Sequence, residues 1–288
     1  MELKVVPPLY FDIVESYNTR MRPDYKYGKP DKQRAFCQWA RMVSVLHNEM
    51  GVDIHFEEPQ PNLYDMAFAC DPGFWVNDLY IAGNFWAGPR EPEVDHSWLW
   101  FDDKTSAVAL GARSYFEGGD CVMIGNKLVI GYGSERTNCY GVKEVMEILK
   151  GEGIEVVPIR RITEEFYHLN SVLTYYPSAK LLAYYPAAFE VHTQKILSEN
   201  LPNVTIIPLP EKAVMRRHPD FGNEYLYSYC LNSIEHNKKV LMPYCSDYHR
   251  KVLEKHGLKV IVPEDGSSEF ERSGGSYRCL TMIHNLTR

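Results

Sequence analysis

No apolar stretch in this sequence is long enough to cross a bilayer, and its opening Met1-Glu2-Leu3-Lys4-Val5-Val6-Pro7-Pro8 lacks the apolar core of a signal peptide. No basic run appears either, and a net charge of -7 argues against a nucleic-acid or anionic-membrane surface. Seven cysteines at positions 37, 70, 121, 139, 230, 245 and 279 include no Cys-x-x-Cys pair, and their number is odd. Neither a disulfide framework nor a zinc ribbon is therefore indicated, and free thiols suit a reducing compartment. The ten histidines include no pair at the spacing of a zinc-binding helix, and no Gly-x-Gly-x-x-Gly separates an early strand from a helix. Two glycosylation patterns, Asn203-Val204-Thr205 and Asn285-Leu286-Thr287, mean little without a secretion signal. The expectation is a cytoplasmic protein with no metal and no cofactor.

What is present is ordinary globular composition, 45% hydrophobic and 24% charged over 288 residues, arranged with a repeat. Val5 to Phe11 reads as an edge strand at best, broken by Pro7-Pro8. Asp24 to Asp31 reads as loop, Gln33 to Met50 as a helix stopped by Gly51, and Val52 to Phe56 as a strand. The same order recurs from Asp78, Lys127, Lys180 and Lys239, each opening a strand followed by a helix and a second strand. A period of about 50 residues marks an array of one supersecondary unit. The expected fold is α/β, with five strand–helix–strand units closing into a ring as a single domain over residues 1–288.

The segments after each unit end differ in chemistry. They contain Cys70-Asp71-Pro72-Gly73, Phe116-Glu117-Gly118-Gly119-Asp120, Tyr167-His168-Leu169-Asn170, Tyr229-Cys230-Leu231-Asn232 and Gly274-Gly275-Ser276-Tyr277-Arg278-Cys279. In a ring of repeats equivalent positions meet near the axis, which would gather Asp71, Glu117, His168 and Cys279. A cysteine can serve as nucleophile, a histidine can carry the proton of a leaving group, and Arg278 is a candidate to hold the thiolate. Two carboxylates suit a planar guanidinium, whose rigid fork of N–H donors they match. A cysteine protease would need one orienting residue and an oxyanion hole instead. Each residue also has a structural reading: a buried thiol, a strand histidine, or turn chemistry at Glu117-Gly118 and Asp71-Pro72. The other cysteines read as core or passive thiols, and the runs Tyr175-Tyr176 and Tyr184-Tyr185 as packing.

Phe116-Glu117-Gly118-Gly119-Asp120, Gly133-Ser134-Glu135-Arg136-Thr137-Asn138 with Gly141, Tyr167-His168-Leu169 and Gly274 to Thr281 resemble the guanidine-modifying (amidinotransferase, or pentein) superfamily. Pro7-Pro8-Leu9-Tyr10-Phe11-Asp12, with Asn18 and Met21, is similar to its arginine dihydrolase and dimethylarginine-hydrolase-like branch. The resemblance covers essentially the whole chain and implies a five-bladed β/α propeller. It implies that Cys279 attacks the guanidinium carbon and His168 protonates the departing amine and later activates water. Asp71 and Glu117 would grip the guanidinium nitrogens, and Arg90 and Arg136 would bind the substrate carboxylate. Asn18, Asp120 and Asn170 complete the expected substrate pocket. Deiminases and amidinotransferases carry His-x-Asp where this chain has Asn170, and dihydrolases tend to have Asn where it has Asp71. The implied partner is a small arginine-like guanidino molecule, with no nucleic acid or membrane, and a homodimer is the candidate assembly. The implied reaction is hydrolysis of arginine or an Nω-methylated arginine to citrulline and ammonia or a methylamine. An amidinotransferase, an arginine dihydrolase giving ornithine, and a non-catalytic binding propeller are the alternatives.

Overall fold

A computed structural model describes residues 1–23, 28–99, 106–133, 135–163, 165–217 and 225–284. Part of the expected loop (24–27), Ser134 of the second motif, and the Asn285-Leu286-Thr287 pattern lie outside the described residues. The chain is α/β, and one pattern recurs through it. A central strand pairs antiparallel with a hairpin neighbour on one side and parallel with a strand across a helix on the other. Gly73–Val76, Leu79–Ala82 and Ser106–Val108 form one such sheet, with helix Pro92–Leu99 in the crossover. Cys121–Ile124, Lys127–Tyr132 and Glu155–Arg160 form the next, with helix Cys139–Leu149. Leu173–Tyr176, Leu181–Tyr184 and Thr205–Pro208 follow with helix Thr193–Asn200. Ile234–His236, Lys239–Leu241 and Lys259–Ile261 follow with helix Asp247–Lys255.

The remaining three-stranded sheet joins the two ends of the chain. Glu2–Val5 lies between Asp53–Phe56, parallel, and Met282–His284, antiparallel. The expected edge strand at Val5 to Phe11 is thus displaced: the strand is Glu2–Val5, and it is central. Leu3 and Val5 are fully buried there, which an edge strand would not achieve. Among the described residues the strands fall into five three-stranded sheets and one hairpin, Met215–Arg217 with Tyr225–Tyr227, and no sheet closes on itself.

Local chemistry explains the repetition. Asp31, Asn138 and Ser246 each cap a helix by accepting from a main-chain N–H of its first turn. Asn77, Gly125 and Asn237, in the tight turns of three hairpins, take positive φ, the conformation such turns need. The expected helix over 33–50 is α-helical over Lys32–Ser44 and continues as a wider turn, Val45–Glu49. No helix among the described residues is long and apolar enough to cross a membrane. All seven cysteines are free thiols.

Candidate active site

Four side chains expected to converge do so, each from a different part of the repeat. Asp71 ends the segment before strand Gly73–Val76. Glu117 and His168 each stand just before a single 3₁₀ turn, Gly118–Asp120 and Leu169–Ser171. Cys279 precedes the last strand, Met282–His284. His168 Nε2 lies 2.8 Å from Glu117 Oε2 and its Nδ1 lies 3.5 Å from Asp71 Oδ1. His168 and Cys279 line the same pocket, and each favours the charged form of the other. Close approach requires the glycine at position 119, where an added Cβ would stand 2.7 Å from Asp71 Oδ1 and 2.8 Å from His168 Nδ1. At Gly274, φ is +91° and Tyr167 packs directly against the Cα.

These groups share charge in a site closed to water. Burial alone would push the His168 imidazole down, but neighbouring Asp71, Cys279 and Glu117 outweigh it and raise it to about 10. Burial would likewise push the Cys279 thiol up; neighbouring Cys70 and His168 outweigh it and bring it to about 6. Burial opposes ionisation of Asp71 and Glu117 as well, yet both carboxyls are held below their ordinary range. His168 and Arg90 do this for Asp71, and Arg136 and His168 for Glu117. At neutral pH the set is therefore a thiolate, an imidazolium and two carboxylates. Arg278, expected to hold the thiolate, instead donates to the Thr281 carbonyl at 2.7 Å. Asn232 holds Cys279 in place. Its Nδ2 donates to Cys279 Sγ at 3.1 Å and its Oδ1 accepts from the Cys279 N–H at 3.1 Å.

Arg90 and Arg136 wall the pocket from the outside. Arg90 Nη1 donates to Asp71 Oδ2 at 2.8 Å, and its Nε and Nη2 grip both oxygens of Glu93 at 2.9 and 2.8 Å. Arg136 Nη1 lies 3.3 Å from Glu117 Oε2, and its Nη2 donates to the Tyr17 carbonyl at 2.9 Å. Asn18 lines the same pocket and donates to the Ser273 carbonyl at 3.0 Å. The space enclosed is about 10 Å³, and Tyr17, Asn18 and Met21 are among the residues that line it.

Two expected pocket residues face elsewhere. Asp120 pairs with Arg161 at 2.5 Å and accepts the Leu169 N–H at 2.8 Å, which fastens the turn that carries His168. Asn170 lies behind the Cys279 sulfur, 3.4 Å from it through Oδ1, and borders a separate cavity of about 460 Å³. Sequence reasoning missed Asp65, Tyr17, Phe68 and Asn232. Asp65 lines the pocket and accepts from Ser273 Oγ at 3.1 Å. Asn232 sits at the end of the fourth unit, so the repeat itself was the signal that could have found it. Asp71, Glu117 and His168 also offer donor atoms within 4.8 Å of one another, a spacing that fits a cation. Arg90 and Arg136 already supply positive charge to both carboxylates there.

Comparison with known proteins agrees with this chemistry. The family model for arginine deiminase matches residues 82–205. An uncharacterized Caenorhabditis elegans protein, ZK1307.1, is 30% identical over 96% of this chain and 91% of its own length. The Mycobacterium tuberculosis N(G),N(G)-dimethylarginine dimethylaminohydrolase is 25% identical over 97% of this chain and 85% of its own. The bifunctional arginine dihydrolase/ornithine cyclodeaminase ArgZ of Synechocystis is 26% identical over 98% of this chain, which spans only 37% of that relative. The crystal structure of the ArgZ N-terminal domain superposes with a TM-score of 0.84 at 24% identity, covering 98% of this chain and 96% of that domain. With its motifs, its α/β repeat and its cysteine–histidine–carboxylate site, the chain belongs to the guanidine-modifying (amidinotransferase, or pentein) superfamily of cysteine-dependent enzymes.

Proposed function

We propose that the protein hydrolyses the guanidino group of arginine or an Nω-methylated arginine through a covalent cysteine intermediate, giving citrulline and ammonia or a methylamine. The observation that carries this reading is that Cys279 and His168 line one pocket, with the His168 ring 2.8 Å from Glu117 and 3.5 Å from Asp71. A buried thiolate–imidazolium pair supplies a nucleophile and a proton donor together, and the carboxylates suit a cationic planar substrate. In this reading residues 1–288 form one domain, and the five three-stranded sheets stand as blades about a pseudo-fivefold axis. Seven free thiols support a reducing compartment, the cytoplasm.

The steps follow from the groups present. Asp71 and Glu117 hold the guanidinium so that its carbon faces Cys279 Sγ. The thiolate adds to that carbon, His168 gives its proton to the departing nitrogen, and the amine leaves. The now neutral His168 takes a proton from water, which adds to the same carbon. The C–S bond then breaks, releasing the ureido product and restoring the thiolate. Arg90 and Arg136 suit an α-carboxylate, and the Asp65 carboxyl suits an α-ammonium. With Asn170 where deiminases carry an Asp, no carboxylate stands at that position to demand an unsubstituted guanidinium end, which supports methylated substrates.

A second reading, arginine dihydrolase, draws on the 26% identity to ArgZ over 98% of the chain. Asp71, where dihydrolases tend to have Asn, speaks against it. Retention of all four reactive groups in mutual contact speaks against a non-catalytic propeller. The test is product analysis of the wild type and Cys279→Ser with arginine, monomethyl- and dimethylarginine, and agmatine. Citrulline with a methylamine, absent in the variant, is the expected result. Ornithine with ammonia from arginine would favour the dihydrolase reading, and no turnover of any of them would overturn hydrolysis of arginine-type guanidines.

A further inference from the structure

Cys70 stands beside the reactive cysteine, and the proposed reaction gives it no part. It is buried, at 2% exposure, but its surroundings at the sulfur are polar. Its Sγ donates to Asp71 Oδ1 at 2.9 Å, and both cysteines sit in the same buried cluster. The Asn170 amide touches both sulfurs, with Nδ2 at 3.4 Å from Cys70 Sγ and Oδ1 at 3.4 Å from Cys279 Sγ. The main chains are tied as well, since the Cys70 N–H donates to the Cys279 carbonyl at 3.1 Å. A cysteine kept only as a small apolar filler needs no such set of contacts.

The two thiols also differ in the way a redox pair requires. Burial pushes the Cys70 thiol well up, so it stays protonated, while the Cys279 thiol is lowered to about 6. Cys279 lines the substrate pocket and Cys70 does not. A small oxidant entering that pocket therefore meets the thiolate first and the protonated thiol behind it.

We propose that Cys70 is the resolving thiol of Cys279, so that a hydroperoxide closes the site reversibly as a Cys70–Cys279 disulfide. The Cys279 thiolate attacks the peroxide, breaks the O–O bond and becomes a sulfenic acid, while hydroxide leaves. The Cys70 sulfur then attacks Cys279 Sγ, the S–O bond breaks, and the departing hydroxide takes the Cys70 proton as water. Cys279 sulfur is oxidised in the first step and the peroxide is reduced; with hydrogen peroxide, one thiolate and one thiol give one disulfide, one hydroxide and one water. Thiol–disulfide exchange with a reductant restores both cysteines. Without Cys70 the sulfenic acid has no neighbour to condense with and is open to irreversible oxidation.

The test is hydrogen peroxide treatment of the full chain, alkylation of remaining thiols in denaturant, and peptide mapping by mass spectrometry. The expected wild-type result is a peptide pair joined through Cys70 and Cys279, with all seven thiols recovered after reduction. In Cys70→Ala, and in Cys70→Ser as a second variant that retains a polar atom, Cys279 should instead reach sulfinic or sulfonic acid. A wild-type Cys279 sulfinic acid beside an unmodified Cys70, or a cross-link from Cys279 to another cysteine, would overturn the proposal. The mapping needs no turnover, so it stands or falls apart from the guanidino reading.

Discussion

The chemistry of the site resides in a lowered Cys279 thiol and a raised His168 imidazole, the latter held charged by Asp71 and Glu117. Because the thiol is lowered to about 6 and the imidazole raised to about 10, the active ion pair exists between those values. kcat/KM is therefore expected to rise as pH passes about 6, when Cys279 loses its proton, and to fall near about 10, when His168 loses its own. Glu117→Gln removes a carboxylate that holds His168 charged. Its alkaline limb should move to lower pH and its rate should fall on the order of 100-fold. An alkaline limb unmoved in that variant would contradict the assignment. Residue types made Cys279, His168, Glu117 and Asp71 legible, since their combination has few other uses. Asp120 and Asn170 were legible as members of the motifs but not in their direction. Each sits on a one-turn 3₁₀ segment, Gly118–Asp120 and Leu169–Ser171, where successive side chains leave at different angles toward Arg161 or the back of the sulfur.

The elements matter through the loops that join them. The Gly118–Asp120 turn brings Glu117 and the Asp71 segment together only because nothing larger than hydrogen stands at position 119. Gly119→Ala would press on Asp71 and His168 at 2.7 and 2.8 Å, so either the loop or the catalytic pair must shift. Such a displacement is expected to cost on the order of 100-fold in kcat/KM and about 1–3 kcal/mol in stability. Steady-state rates and a melting curve check this, and wild-type values for both would contradict it. Helices and central strands of the middle units were readable from the sequence because each unit repeats strand, helix and strand locally. The first sheet was not. Its partner strand Met282–His284 lies at the far end of the chain, and nothing near Glu2–Val5 announces that pairing.

At the scale of the whole molecule, the repeat is what makes the site. Asp71, Glu117, His168 and Cys279 are far apart in sequence but occupy comparable places after successive units, so folding the array gathers them. Pairing of Glu2–Lys4 with Met282–His284 anchors the segment that carries Cys279 to the start of the chain, and the Cys70 N–H to Cys279 carbonyl bond ties it to Asp71. The convergence was legible from the period alone. The closing of the pocket by Arg90, Arg136 and the 17–21 segment was not, because it depends on contacts between non-equivalent parts of the repeat.

The most direct test of the central claim is to quench the enzyme in acid during turnover and weigh the peptide that contains Cys279. If the thiolate attacks the guanidino carbon and the substituted nitrogen leaves, arginine and asymmetric dimethylarginine must give the same adduct on Cys279, with both methyl groups gone. That identity of mass is the predicted result. An adduct that keeps the methyl groups, an adduct on another residue, or none during demonstrated turnover would contradict the account.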